Sequence, residues 1–185
     1  MIDPATYGPV FASLLVPQRL APLGPGTPNQ AVRDQLARLT IEQAFAHTSL
    51  RDRDMAHACL AGLWLYHDFL DESHAIGQQI QSPTGSYWHG LMHRREPDAG
   101  NAAYWFRRVG RHPIFPSLVQ VAQGLGLPEV KDPWDPFDFI DRCERHRGRG
   151  DDMERLLQRV QHEEWCLLFE FSYRQASEAT SSSAP

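Results

Sequence analysis

The sequence predicts an all-α protein: a single-domain orthogonal or bundle-like helical array that contains a helical hairpin. Three observations carry that prediction. Apolar residues recur at spacings of three and four over long stretches, and no stretch alternates strongly enough to argue for a sheet. Several of these stretches open on Thr, Ser or Asp and stop at Gly or Pro, the residues that cap and break helices. The chain has 185 residues, of which 42% are hydrophobic and 22% charged. That is enough for one buried core and unlike a disordered or collagen-like chain.

The elements follow in order. The first 26 residues hold five prolines and three glycines and read as an irregular arm with a short helix near Tyr7–Leu15. The helical domain is expected over residues 27–176. Thr27-Pro28-Asn29-Gln30 has the residues of a capped start, and Val32, Leu36, Leu39 and Phe45 continue it as one helix to about Ser49. After the charged junction Arg51–Asp54, a long helix is predicted to Ile80.

Ser82–Gly85 breaks the chain. Residues 86–95 and 101–109 then form the hairpin, with the turn at Glu96–Gly100. The next stretch allows a helix over Pro116–Gly124. Asp135 and Asp151 each look like an N-cap, the first for a helix to about His146 and the second, with Glu154 at the capping-box position, for a helix to about Gln175. A disordered tail is expected over residues 177–185.

Charge and motif content narrow the function classes. A net charge of −5 does not favour a broad nucleic-acid footprint. No apolar run approaches a membrane span, and the N-terminus lacks a secretory pattern, so a cytoplasmic protein is expected. The three cysteines are widely spaced and signal neither a zinc knuckle nor a disulfide framework. No glycine-rich phosphate loop or nucleophile elbow is present.

The unusual stretch is Ser86–Pro113, which packs three histidines, five arginines, two tryptophans and two tyrosines into 28 residues. On the preceding helix, His67, Asp71 and His74 lie three or four residues apart and share a face; on the hairpin, His89, His93 and Glu96 do the same. If the break at residues 82–85 folds the two helices together, both stripes converge. Four imidazoles and two carboxylates suit a divalent transition metal such as zinc, iron, nickel or manganese. His67, His74, His89 and His93 are therefore the candidate metal ligands. Asp71 and Glu96 are candidate carboxylate ligands or general bases, and Tyr104 a candidate proton donor. Arg94, Arg108 and Trp88 are candidates for binding substrate charge and walling a pocket, with Trp105 as a second wall or a core residue. The same stripes also fit a polar network that only fixes helix register, and a structural ion pair is the better reading for at least one of Arg94 and Arg95, which leaves the other for an anionic substrate group.

The strings YHDFLDESH (Tyr66–His74), GSYWHGLMHRREPDAGNAAYWFRRVGRHP (Gly85–Pro113) and DPFDFIDRCE (Asp135–Glu144) resemble a family of uncharacterised bacterial and fungal proteins that share a YWHxxxHRRExD…NAxYWFRRVGxHP signature. The resemblance implies that most of the chain is one unit. It implies no activity, cofactor or catalytic residue.

Two function classes stand. One is a metal-assisted hydrolase, or another metal-dependent enzyme, acting on a small polar molecule. The other is a non-enzymatic helical interaction protein or scaffold whose partner is a protein, a homodimer among the options. Exposed tryptophans at positions 88, 105 and 134 would favour the second, and convergence of the histidine stripes the first.

Overall fold

The computed structural model describes residues 3–177. Among them there is no strand, only an isolated bridge between Leu50 and Ser177, and the elements form a single helical array. After a 3-10 turn at Pro4–Tyr7 come α1 (Gly8–Leu14), α2 (Arg33–Arg38), α3 (Ile41–Ala44), α4 (Arg53–Tyr66) and α5 (Leu70–Gly77). Then follow α6 (Pro83–Arg95), α7 (Ala99–Val109), α8 (Phe115–Gly124), α9 (Pro136–His146) and α10 (Asp152–Ala176). Of the tail expected from residue 177, only Ser177 is described; residues 178–185 lie outside the described range. No helix among the described residues is long and apolar enough to cross a membrane.

Of the capped starts read from sequence, those at Asp135 and Asp151 are present, whereas the one at Thr27 is not: a 3-10 turn at Gln30–Val32 with Asn29 at its N-cap and no side-chain cap precedes α2. Asp135 Oδ1 accepts from the backbone N–H groups of Phe137 and Asp138, and Asp151 Oδ1 accepts from Glu154 N at 2.7 Å. The Glu154 carboxylate reaches past Asp151 to the N–H groups of Gly148 and Gly150. The hairpin is α6 and α7. Ser82 caps the first helix through Gly85 N, and Asp98 caps the second through Asn101 N.

Two predicted helices are each broken in two. The helix expected from Thr27 to Ser49 stops at Arg38 and restarts at Ile41. Thr40 is extended there and forms a reciprocal capping box with Gln43, which satisfies the N–H groups of a new helix start. The helix expected to run unbroken to Ile80 stops at Tyr66 and restarts at Leu70. Phe69 N donates to Trp64 O and Asp68 N to Leu65 O, the bond pair of a Schellman end. Asp68 takes the left-handed position at φ 65°, where glycine is usual. Its carboxylate is held by Arg95 at 2.5 Å and Arg19 at 2.9 Å, and two charge-assisted bonds outweigh the local backbone cost.

α10 is the spine of the core, with α4, α8 and α9 against it and α6 between. Close approach depends on two glycines. A Cβ on Gly62 would sit 2.8 Å from the Trp88 ring, and one on Gly90 would sit 2.9 Å from the Phe106 ring. Tyr7, Phe11, Leu14, Leu15 and Leu23 of the Pro-rich arm are buried in the same core as α10, so the arm is a working layer of the domain. At the centre, Arg94 and Glu164 are both fully buried 2.5 Å apart, and the Tyr87 hydroxyl donates to the other carboxylate oxygen at 2.8 Å.

Candidate metal centre

The site is built by α5 and α6. On α6, His89 and His93 are one turn apart, so their rings stack, 4.8 Å between centres and 13° between planes. The α4–α5 break turns α5 so that His74 meets this stack edge-on, 4.5 Å from His89 and 5.3 Å from His93. One ring nitrogen from each of the three lies within 4.8 Å of the others. His89 and His93 are buried, and His74 is partly exposed.

His89 is sandwiched. Its second face lies on Trp105 of α7, 3.9 Å between ring centres. Neither of its ring nitrogens has a hydrogen-bond partner among the described residues. Burial, reinforced by the neighbouring His93 and His74, pulls its pKa down to about 3, so the ring is neutral at ordinary pH. Burial also lowers the pKa of His93, against the opposing pull of Glu96. The His93 Nδ1–H donates to Glu96 Oε2 at 3.0 Å, which leaves Nε2 as the nitrogen with a free lone pair.

These features fit a transition-metal ion. Neutral imidazole is the ligand form, and a carboxylate behind a ligand histidine fixes its tautomer and raises its basicity. Tetrahedral bonds of about 2.0 Å imply ligand nitrogens roughly 3.3 Å apart, within the 4.8 Å that bounds the three nitrogens, and His74 is the most exposed of the three rings. Among the described residues the group consists of these three histidines, a donor set able to hold a metal ion.

The other predicted residues fall in different places. His67 lies apart from the cluster, because the Schellman end rotates it toward the arm. Its Nε2–H donates to Leu14 O at 2.8 Å and its Nδ1 accepts from Asn29 Nδ2 at 3.2 Å, so both nitrogens are engaged in holding the arm. Asp71 is exposed in the first turn of α5, outside the cluster. Glu96 meets His93, as above. Tyr104 is 49% exposed and edge-on to Trp105, and Arg108 lies over the Trp105 ring at 5.4 Å. Trp88 and Arg94 face the core: Trp88 is fully buried and donates its indole N–H to Ser172 Oγ, and Arg94 is committed to Glu164. Arg95 is committed to Asp68 and Gly24 O.

Trp105 is the site residue that sequence reasoning weighed but did not select. Its signal was its place on the hairpin's second helix, opposite the His89/His93 stripe. Compared with family models, curated proteins and solved structures, the chain finds no match. The chemistry of the centre is therefore read from its own geometry.

Proposed function

We propose that the protein is a metalloenzyme that holds one divalent transition metal, zinc fitting best, through His74, His89 and His93, and hydrolyses a small polar substrate. The observation that supports this is the convergence of three imidazoles, two of them held neutral by burial, with Glu96 bonded behind one of them. When bound, such a metal lowers the pKa of a coordinated water and polarises a carbonyl or phosphoryl oxygen. The chain's own residues then have distinct tasks. Glu96 orients His93. Trp105 fixes the plane of His89 and excludes water from that side. Arg108 and Tyr104, on the exposed side of Trp105, supply a positive charge and a hydroxyl at the rim.

Exposed tryptophans would have favoured the scaffold reading; Trp88 and Trp134 are buried and Trp105 is half-buried against His89, so that support is missing.

Elemental mass spectrometry on untagged protein, purified without added metal and again after zinc loading, tests the reading. The expected result is near one equivalent, lost in His89→Ala and His93→Ala and retained in His67→Ala. Absence of metal under both conditions would overturn it.

A further inference from the structure

A concavity lies on the other side of α7 from the histidine centre. It is a cleft of about 510 Å3 between the C-terminal end of α7, the start of α8 and the loop before α9. A neighbouring lobe of about 340 Å3 shares Arg111, Phe115, Pro133 and Trp134 with it. Volumes of this size are those of small-molecule sites.

The lining has two parts. Phe106, Phe115, Trp134 and Phe137 give flat aromatic surface; the first three are buried, and Phe137 is 39% exposed. The rim is cationic. Arg107 and Arg111 are exposed and make no ion pair with a carboxylate among the described residues; Arg107 only rests over the Phe137 ring at 5.9 Å. Lys131 and Asp135 neutralise each other at 2.7 Å, which leaves two guanidiniums against one carboxylate, Asp132.

Two further features call for an acceptor. The Trp134 indole N–H is buried and has no acceptor among the described residues, although a buried indole normally finds one. The ten-residue α8 begins at the second lobe with no side-chain cap from its N-cap residue and no acidic residue in its first turn, so its positive end carries no counter-charge, although His112 O already accepts from the Phe115 N–H and Pro116 has none. An anionic group in the lobe would meet that helix end and Arg111 together, with Trp134 as part of the same wall.

We propose that this cleft is a binding site for a small organic anion with a flat aromatic body, such as an aromatic carboxylate. The aromatic walls take the ring system, and Arg107, Arg111 and the start of α8 take the charge. The site is separate from the histidine centre: α7 turns Trp105 toward the imidazoles and Phe106 and Arg107 toward the cleft. The proposal stands without a bound metal.

The probe is 2-naphthoate, titrated into the full chain while the tryptophan indole N–H signals are followed by two-dimensional NMR. Trp134→Phe assigns the signal of that residue. We expect 2-naphthoate to shift the Trp134 signal saturably and to leave the signals of Trp88 and Trp165 in place. Arg107→Gln and Arg111→Gln, both surface changes, should each weaken binding about tenfold, the usual loss for a charge-assisted bond. The neutral analogue 2-naphthylmethanol should bind more weakly by a similar factor. No shift of Trp134 at millimolar naphthoate overturns the proposal. Equal binding of the alcohol, or unchanged affinity in both arginine variants, also overturns it, because the cleft would then be only a non-selective apolar surface.

Discussion

The imidazole of His89 lies flat against the indole of Trp105, 3.9 Å between ring centres and 15° between planes, while its opposite face is covered by His93. A ring held on both faces cannot swing about χ2, so its nitrogens are aimed before any ion arrives. Pre-set ligands lose less freedom on binding than mobile ones. Replacing Trp105 with Ala removes one face. We expect zinc affinity to fall by about tenfold, at the lower end of the effect of supporting residues around metal sites. Isothermal titration of metal-free protein measures it, and an unchanged affinity would show that the stack plays no part in binding.

Glu96 acts on the same centre from the other end. Glu96→Gln keeps the size of the side chain but can present its amide nitrogen instead of an acceptor to His93 Nδ1. Between about 10- and 100-fold of metal affinity should be lost, with the fold unchanged by circular dichroism. Asp71→Asn, outside the cluster, is the matched control and should keep wild-type affinity.

His112 links pH to stability. It is buried, accepts from Ile114 N at Nδ1 and meets Thr84 Oγ1 through Nε2, and burial pulls its pKa down to about 4. The unfolded chain takes up this proton near pH 6.5 and the folded chain only near 4, so stability is complete above 6.5 and is lost as pH falls toward 4. The difference corresponds to about 3 kcal/mol. Urea unfolding at a series of pH values should show a slope in that window that is shallower in His112→Gln by this amount. Equal slopes in the two proteins would rule out the linkage.

The buried Arg94–Glu164 pair makes a fourth prediction. Both side chains are fully buried, and two guanidinium nitrogens of Arg94 already lack a hydrogen-bond partner among the described residues. Glu164→Ala leaves a cation without its counter-charge in the core and should cost about 3–5 kcal/mol. Glu164→Ala together with Arg94→Met should recover much of that loss, because the desolvated charge is gone. Failure of the double variant to recover would assign the cost to packing rather than to charge.

Asp68 allows two opposed effects to be weighed. Glycine at this position would relieve the φ of 65° by about 1 kcal/mol, but it would remove the partner of the buried Arg95 guanidinium, a loss of about 3 kcal/mol or more. Asp68→Gly is therefore expected to be less stable than wild type in urea unfolding. A more stable variant would mean that the backbone conformation dominates.

Asp68 also shows where sequence reasoning stops. The caps at Asp135 and Asp151 and the hairpin were legible because each rests on neighbours within a few residues, and His74, His89 and His93 because each stripe has helical spacing and the break at residues 82–85 lies between them. The break after Tyr66 was not. Its position carries no glycine, and the groups that hold it, Arg19 and Arg95, are 49 and 27 residues away. Reading the stretch as one helix kept His67 in line with His74, whereas the left-handed turn sends it to Leu14. The break at Thr40 was different. Its capping box is local, but Leu36, Leu39 and Phe45 kept a helical period across it. Arg94 and Trp88 share a helix with the histidines, and sequence alone does not say which face of a nearly all-buried helix meets the core.

The arm has a consequence for how the domain is made. Its first turn is held by the Tyr7 hydroxyl donating to Glu170, 163 residues later in the chain, and its last stretch by Gln161 and Arg147 donating to the carbonyls of Pro22 and Leu23. The arm is thus made well before α10, the element on which it docks. Until α10 emerges, Phe11, Leu14, Leu15 and Leu23 have no complete core to enter, and a growing chain would display them as a short apolar segment. That interval is when this protein would be most open to a chaperone, and shortening α10 from its C-terminal end would prolong it.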